Sequence, residues 1–196
     1  VDAMPVAQGS SALHPRWAGD RLVWFEDSSG FWNLHCRTAD GSLTAVTTSA
    51  HDHLDPLWTL GNQPLGMWPP AEPSVLLALR HGDHGVELVG VDAQTGTETV
   101  IETPALASVD AVASTEDHLW AILSFQDRPC ELVRFDPHDL ASGFTAMVKA
   151  GEAPDPETVS RPENLWIKGR HGHIQAWFYP PHCPGCAAPE LSLIHI

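Results

Sequence analysis

Asp27-Ser28-Ser29-Gly30-Phe31-Trp32-Asn33-Leu34 is the stretch of this sequence that decides the fold. An apolar run, Arg21 to Glu26, precedes this stretch, and a second apolar run begins within it, at Phe31 to Leu34. A turn-forming Asp-Ser-Ser-Gly segment between two runs rich in aromatic and aliphatic residues predicts a β-hairpin. The same arrangement returns further along the chain, so the hairpin is one part of a repeating unit.

The repeating unit has a constant order: Pro-x-Trp, an apolar strand, a turn and a second strand. Pro15-Arg16-Trp17 opens the first copy and Pro56-Leu57-Trp58 opens the second, so that Trp17 and Trp58 lie 41 positions apart. A third, weaker copy starts at Leu119 without the Pro-x-Trp segment. Periods near 40 to 50 residues made of four short strands are typical of β-propeller blades.

We therefore predict an all-β chain whose main part is a partial β-propeller of about three four-stranded blades. The predicted blades span Ala12 to Ser49, Leu54 to Glu102, and Ala107 to Ala150. Their outer strands are predicted at Leu43 to Thr47, Glu98 to Ile101, and Phe144 to Val148. Short apolar runs interrupted by Gly, Asp, Asn or Pro support strands throughout.

The tryptophans of the blades are predicted to pack between neighbouring sheets, because blades are apolar on both faces. An aromatic cage for a ligand is the functional alternative. The residues concerned are Trp17, Trp24, Trp32, Trp58, Trp68 and Trp120.

The composition changes after the third blade. Residues 151–162 contain Gly151, Pro154, Pro156 and Pro162 among acidic residues, which predicts a linker after a propeller region 1–150. Glu163 to Lys168 and His173 to Tyr179 are predicted to form a hairpin, and Pro180-Pro181 to end it. Residues 163–190 are interpreted as the start of a second domain.

The first unit, with Leu22-Val23-Trp24-Phe25-Glu26 before the deciding stretch, resembles blades of the prolyl oligopeptidase family of serine peptidases (S9), most closely the acylaminoacyl-peptidase-like subgroup. His53 to Gly61 is similar to the start of the next blade of that subgroup. Trp166-Ile167-Lys168, Gly172 and Gln175 to Pro181 resemble the hairpin that opens the family's α/β-hydrolase domain. The resemblance covers about residues 3 to 190, in the same order.

The resemblance implies a propeller that covers a serine hydrolase domain and admits short peptides. The family's nucleophilic Ser lies in a Gly-x-Ser-x-Gly turn, followed by Asp and His, with an oxyanion loop of the His-Gly-Gly type. None of these motifs occurs in this sequence. No catalytic, cofactor-binding or metal-binding residue is therefore assigned, and the chain by itself is expected to be inactive.

The composition of the chain argues against some classes of binding partner. The formal net charge of -15, from 25 acidic and 10 basic residues, argues against binding to nucleic acid or to an anionic membrane. The apolar runs are too short to span a bilayer, and no segment resembles a signal peptide. Cys36 and Cys130 lie in predicted strands as small buried side chains, which favours a reducing, cytoplasmic compartment.

Four other groups of residues have the composition of sites. Cys183-Pro184-Gly185-Cys186 could hold zinc or form a redox pair, but it lacks further ligands at suitable spacing and a helix, so a loop is favoured. His51-Asp52-His53 and His81-Gly82-Asp83-His84 are interpreted as solvated turn residues rather than metal ligands. Asp110, Glu116 and Asp117 are interpreted as surface charge.

The last six residues, Leu191-Ser192-Leu193-Ile194-His195-Ile196, match the translation of a transposase-adapter end used in sequencing libraries. We expect them to be an artefact that follows a truncated reading frame. A native apolar strand is the alternative.

The sequence thus predicts a fragment of a serine peptidase whose propeller limits the access of short peptides to a hydrolase domain. A non-catalytic propeller that serves as a binding scaffold is the alternative, and a propeller hydrolase with a metal on its axis is a third possibility. A Gly-x-Ser-x-Gly motif downstream would favour the first, and further blades the second.

Overall fold

The structure, a computed structural model, describes residues 8–56 and 61–182. Thirteen strands and two 3-10 helices occur in this part of the chain. The strands are β1 (Ala12–Ala18), β2 (Arg21–Glu26), β3 (Asn33–Arg37), β4 (Leu43–Ala45), β5 (Leu65–Trp68), β6 (Val75–Gly82), β7 (Gly85–Asp92), β8 (Glu98–Ser114), β9 (Leu119–Phe125), β10 (Glu131–Phe135), β11 (Thr145–Lys149), β12 (Glu163–Gly169) and β13 (Gly172–Phe178). The predicted all-β class is confirmed.

Blade 1 is an antiparallel sheet of β1 to β4 in sequence order. The turn between β2 and β3 is the predicted one: the amide of Gly30 donates to the carbonyl of Asp27 at 2.9 Å. Gly30 has a φ of 88°, a left-handed conformation that glycine adopts without a steric penalty. The Asp-Ser-Ser-Gly segment thus reverses the chain as predicted.

Asn33 explains the Trp-Asn-Leu part of the deciding stretch. Its side chain is buried, and Nδ2 donates to the carbonyl of Ser49 at 3.0 Å. Its Oδ1 accepts from Thr47 Oγ1 at 2.8 Å and from the amide of Ser49 at 3.0 Å. A buried amide stabilises the fold only when such groups satisfy it. Asn33 therefore fixes the segment that follows the short outer strand β4 onto β3.

Blades 2 and 3 are joined by one long strand, where separate strands were expected from the sequence. Glu98 to Ile101, predicted as a separate outer strand, is the first part of the 17-residue β8. This part pairs with β7, and Leu106 to Ser114 pairs with β9, giving a seven-stranded sheet ordered β11-β10-β9-β8-β7-β6-β5. Pro104 has no N–H to donate to a ladder, but it lies where the β7 pairing register shifts, a position that tolerates proline.

Two apolar cores lie between the blades, and we call each contact a seam. In β6 the side chains alternate: Leu76 and Ala78 enter seam 1–2 with blade 1, whereas Leu77 and Leu79 enter seam 2–3 with blade 3. All four are buried. Blade 2 is therefore apolar on both faces, as face-to-face packing of blades requires.

The tryptophans only partly follow the prediction that they pack between blades. Trp32 and Trp68 are half-buried against the two cores, whereas Trp24 is buried but belongs to neither core. Trp17, by contrast, is 66% exposed, so its predicted packing is wrong. It lies near the end of β1, the edge strand of blade 1, where no further strand of the described chain pairs with it. Trp58 lies outside the described residues.

The terminal hairpin is confirmed. β12 and β13 pair from Glu163↔Phe178 to Gly169↔Gly172 as a separate two-stranded sheet. Several apolar side chains of this hairpin are exposed: Leu165, Trp166, Ile167, Ile174 and Trp177. Between blade 3 and the hairpin, residues 151–162 contain one short 3-10 helix, Pro156–Thr158.

Candidate functional site: the hairpin side of the blades

The antiparallel order of the strands places one set of turns on the same side of the blades. These turns are 27–32 in blade 1, 82–85 in blade 2 and 126–130 in blade 3. The terminal hairpin contacts this side, which we call the hairpin side. It is where a domain that follows the propeller would meet it.

Three contacts dock the hairpin and the end of the linker before it on blades 2 and 3. Asn164 Nδ2 donates to the carbonyl of Asp83 at 2.7 Å, and Arg161 Nη2 lies 3.2 Å from Asp127 Oδ2. The Trp177 ring lies against Gly85, where an added Cβ would be 3.4 Å from Cη2. The hydroxyl of Ser160 donates to the carbonyl of Pro180, which ties the linker to the end of the hairpin.

A cleft of about 330 Å³ opens between the hairpin and the blade turns. Trp177, Tyr179 and Gln175 line it from the hairpin, and His81 and Gln126 line it from the blades. None of the described residues that line it is a carboxylate, serine, threonine or cysteine. The described lining therefore lacks the nucleophile-and-base pair that covalent catalysis requires.

His81 is held by an acidic partner. Its Nε2 lies 2.9 Å from Asp55 Oδ1, and its amide donates to the carbonyl of Asp52 at 2.8 Å. The hydrogen bond with Asp55 raises the pKa of His81 above its usual 6.5, against the opposing effect of burial. The imidazole thus anchors β6 to the segment that connects blades 1 and 2.

His53 is fully buried, so the prediction of a solvated turn residue is wrong. Its Nδ1 lies 3.3 Å from the carbonyl oxygen of Trp32, and its Nε2 lies 3.3 Å from Glu98 Oε2 without hydrogen-bond alignment. Burial lowers the pKa of His53, and the nearby Glu98 carboxylate only partly offsets this. The segment that connects blades 1 and 2, residues 51–55, passes between two apolar sheets. This is the physical reason that part of it is buried.

The carboxylate beside His53 belongs to a small charge network. Arg80 Nη1 donates to Glu98 Oε2 at 2.7 Å, and Arg80 Nη2 donates to Glu87 Oε2 at 2.6 Å. The amide of Trp32 donates to Asp52 Oδ1 at 2.7 Å. Residues 51–55 therefore connect blade 1 to blade 2 through charged and hydrogen-bonded groups.

The other residues singled out from the sequence do not converge. Asp83 and His84 are exposed, as are Asp110, Glu116 and Asp117, in agreement with the interpretation as surface residues. Asp110 accepts from the hydroxyls of Ser108 and Ser124 at 2.5 and 2.6 Å. Cys183 and Cys186 lie outside the described residues.

Cys36 is buried and Cys130 is half-buried, and both are free thiols. Within residues 8–56 and 61–182, no group of three or more His, Cys, Asp or Glu side chains is arranged to hold a metal ion. In the same ranges, no helix is long and apolar enough to cross a membrane.

No protein-family model matches the sequence. No curated protein matches it either.

Solved structures do match the fold. A puromycin-hydrolyzing peptidase of Mycobacterium tuberculosis is 26% identical with a TM-score of 0.76, over 94% of this chain and 28% of that one. A puromycin hydrolase is 22% identical with a TM-score of 0.77, over 93% of this chain and 28% of that one. A prolyl endopeptidase structure is 12% identical with a TM-score of 0.62, over 85% of this chain and 23% of that one.

TolB from Acinetobacter baumannii is 11% identical with a TM-score of 0.53, over 87% of this chain and 44% of that one. This chain thus spans less than a third of the length of the peptidases that it matches. The similarities confirm a partial propeller and the resemblance to the propeller region of prolyl oligopeptidase-family peptidases.

Proposed function

We propose that this chain is part of a serine peptidase of the prolyl oligopeptidase family, in which the blades restrict access to a hydrolase domain encoded after the terminal hairpin. The observation that carries the proposal is the fold match over 94% of the chain to a peptidase, at 26% identity. The order of the parts agrees with it, since the blades come first and the hairpin that resembles the opening of the hydrolase domain comes last.

The physical role of the blades in this proposal is steric. In such a ring of packed sheets, a tunnel or side opening admits short, extended peptides, whereas folded proteins are too large to enter. The cleft on the hairpin side supports the proposal, since it lies between the two parts and has no carboxylate that would repel the carboxyl end of a peptide.

The finer assignment is an acylaminoacyl-peptidase-like enzyme that acts on short peptides in the cytoplasm. The 26% identity to a puromycin-hydrolyzing peptidase supports hydrolysis as the reaction. The net charge of -15 supports a role without nucleic acid or anionic lipid.

The test is to incubate the complete gene product with a set of substrates of increasing size and to measure their hydrolysis. We expect cleavage of peptides of a few residues, little cleavage of the same sequence within a folded protein, and no cleavage by residues 1–196 alone. A complete coding sequence that continues with more blades, and a protein that cleaves none of the peptides, would support the alternative of a binding scaffold.

A further inference from the structure

The two seams are joined by different kinds of connection. Between blades 2 and 3, β8 passes from one blade into the other and pairs with β7 and β9, with Leu106 paired to both Val86 and Phe125. Separation of these blades would break the hydrogen bonds of at least one ladder. In the described residues, no strand is shared by blades 1 and 2.

Seam 1–2 has an apolar core with a cleft beside it on the side opposite the hairpin, as seam 2–3 also has. The cleft at seam 1–2, of about 350 Å³, is lined by Arg21, Cys36 and Val46 of blade 1 and by Thr95 and Gly96 of blade 2. Cys36 is 9% exposed, and its side chain belongs to the seam 1–2 core. Its thiol is thus at the boundary between the core and this cleft.

On the hairpin side, blades 1 and 2 are held by the connector 51–55. The amide of His53 donates to the carbonyl of Trp32 in blade 1 at 2.8 Å, and the His53 ring faces Glu98 in blade 2. Asp52 contacts blade 1 through Trp32 and blade 2 through His81. The connector therefore bridges the two blades at one end of the seam.

The bridge formed by His53 is incomplete. Both of its ring nitrogens face acceptors, the Trp32 carbonyl and the Glu98 carboxylate. A neutral imidazole has one N–H, so it can donate to one of the two and leaves the other acceptor without a hydrogen bond from this ring. A buried contact of this kind stabilises the closed seam less than a fully satisfied one.

We propose that blade 1 opens from blades 2 and 3 as a unit along seam 1–2, with connector 51–55 as its latch and with blades 2 and 3 remaining joined through β8. Local openings of this kind have free energies below that of global unfolding. The proposal concerns the blades themselves and does not depend on the peptidase assignment.

The reaction of the Cys36 thiol with a thiol reagent measures the opening. The protein for this measurement is the full chain with Cys130, Cys183 and Cys186 replaced by Ala. The matched control also carries Cys36→Ala and has a single thiol at Ala121→Cys, because Ala121 lies in seam 2–3 and is 2% exposed. We expect Cys36 to react about ten-fold faster than the thiol at position 121, with a shallower dependence on low urea concentrations.

The latch is tested by His53→Asn, which keeps a donor for the Trp32 carbonyl and removes the contact with Glu98. We expect a several-fold faster reaction of Cys36 and an unchanged reaction at position 121. Equal acceleration at both positions would mean global unfolding and would overturn the proposal. So would a Cys36 rate that does not respond to His53→Asn.

Amide hydrogen exchange followed by mass spectrometry provides a measurement without cysteine substitutions. Peptides of β2 and β3 should exchange with one common opening free energy, lower than that of peptides from β6 to β10. The same opening free energy in both groups would overturn the proposal.

Discussion

Seam 2–3 and seam 1–2 are built from the same kind of buried aliphatic and aromatic side chains, but they are closed differently. In seam 2–3 the backbone of β8 runs through both blades, so apolar packing and hydrogen-bonded ladders act together. In seam 1–2 the packing is assisted by a buried histidine that faces Glu98 of blade 2, and by close backbone contacts at glycines.

The difference shows how a repeated sequence unit can give junctions of unequal strength. In a shared strand, the backbone N–H and C=O groups are paired within the ladder and no charged side chain is involved. The buried imidazole of seam 1–2 loses its hydrogen bonds to water, and its contacts in the protein replace only part of them. The hairpin adds to the inequality, since its three docking contacts reach blades 2 and 3.

The largest effect is expected from truncation of one large aromatic side chain in each seam. Phe135 in seam 2–3 and Phe25 in seam 1–2 are both fully buried. Each Phe→Ala change should cost about 3–5 kcal/mol in the free energy of unfolding. Phe135→Ala should destabilise the whole chain in a single urea transition, whereas Phe25→Ala should separate the unfolding of blade 1 from that of the remainder.

Circular dichroism and tryptophan fluorescence, recorded on the same urea series, distinguish these outcomes. Transitions that coincide for Phe135→Ala but not for Phe25→Ala agree with unequal seams. Coincident transitions in both variants would mean that the three blades unfold as one unit.

Gly96→Ala tests the backbone contact in seam 1–2. Gly96 has a φ of 70°, and an added Cβ would lie 1.9 Å from the carbonyl oxygen of Val46. Gly30→Ala is the matched control, since its φ is 88° with no atom within 4 Å of the added Cβ. The left-handed conformation costs each alanine about 1–2 kcal/mol.

The steric overlap at Gly96 should add to that cost and should accelerate hydrogen exchange in blade 1. The free energy of unfolding of the two variants, from urea denaturation, checks the prediction. Equal decreases in the free energy of unfolding for Gly96→Ala and Gly30→Ala would show that the backbone at seam 1–2 shifts to accept the added methyl group with no further loss of stability.

His53 gives seam 1–2 a dependence on pH. Because burial lowers the pKa of His53 below 6.5, the unfolded chain binds the proton more readily than the folded one. The stability of the chain should therefore decrease as pH falls through 6.5 towards the lower pKa of the folded state. His53→Asn should make the urea midpoint less sensitive to pH between 7.5 and 5.5, and an unchanged slope would contradict this prediction.

His81 should act in the opposite direction and more weakly, because it is partly exposed. The hydrogen bond with Asp55 raises its pKa, so the folded chain binds the proton more readily than the unfolded chain. The stabilising contribution is complete below pH 6.5 and is lost as pH rises through the pKa of the folded state. His81→Gln should cost more stability at pH 6 than at pH 8.5, as measured by thermal unfolding, and Asp55→Asn should reproduce the effect.

Much of the fold could be predicted from local signals in the sequence. The turn at Asp27 to Gly30, the strands of each blade and the hairpin ending at Phe178 follow from turn residues and from short apolar runs. The continuity of β8 could not be predicted, because Pro104 carries the signal of a break and only the pairing register shows that its missing N–H is tolerated.

Less of the candidate site could be predicted. The sequence presents His51-Asp52-His53 as a polar turn, and its local pattern does not distinguish the buried ring of His53 from its less buried neighbours. Burial there depends on the packing of two sheets that are separate in sequence. Trp17 shows the reverse case: an apolar residue in a strand was expected to be buried, but it lies on the edge strand of blade 1 and does not belong to the core of seam 1–2.

The central functional claim is that the complete protein is a serine peptidase covered by these blades. Labelling of the complete gene product with a fluorophosphonate probe, followed by mass spectrometry of the labelled peptide, tests it most directly. We expect one labelled serine in a Gly-x-Ser-x-Gly segment downstream of Pro181, and no labelling of residues 1–196 alone. A folded complete protein that takes up no probe would contradict the claim.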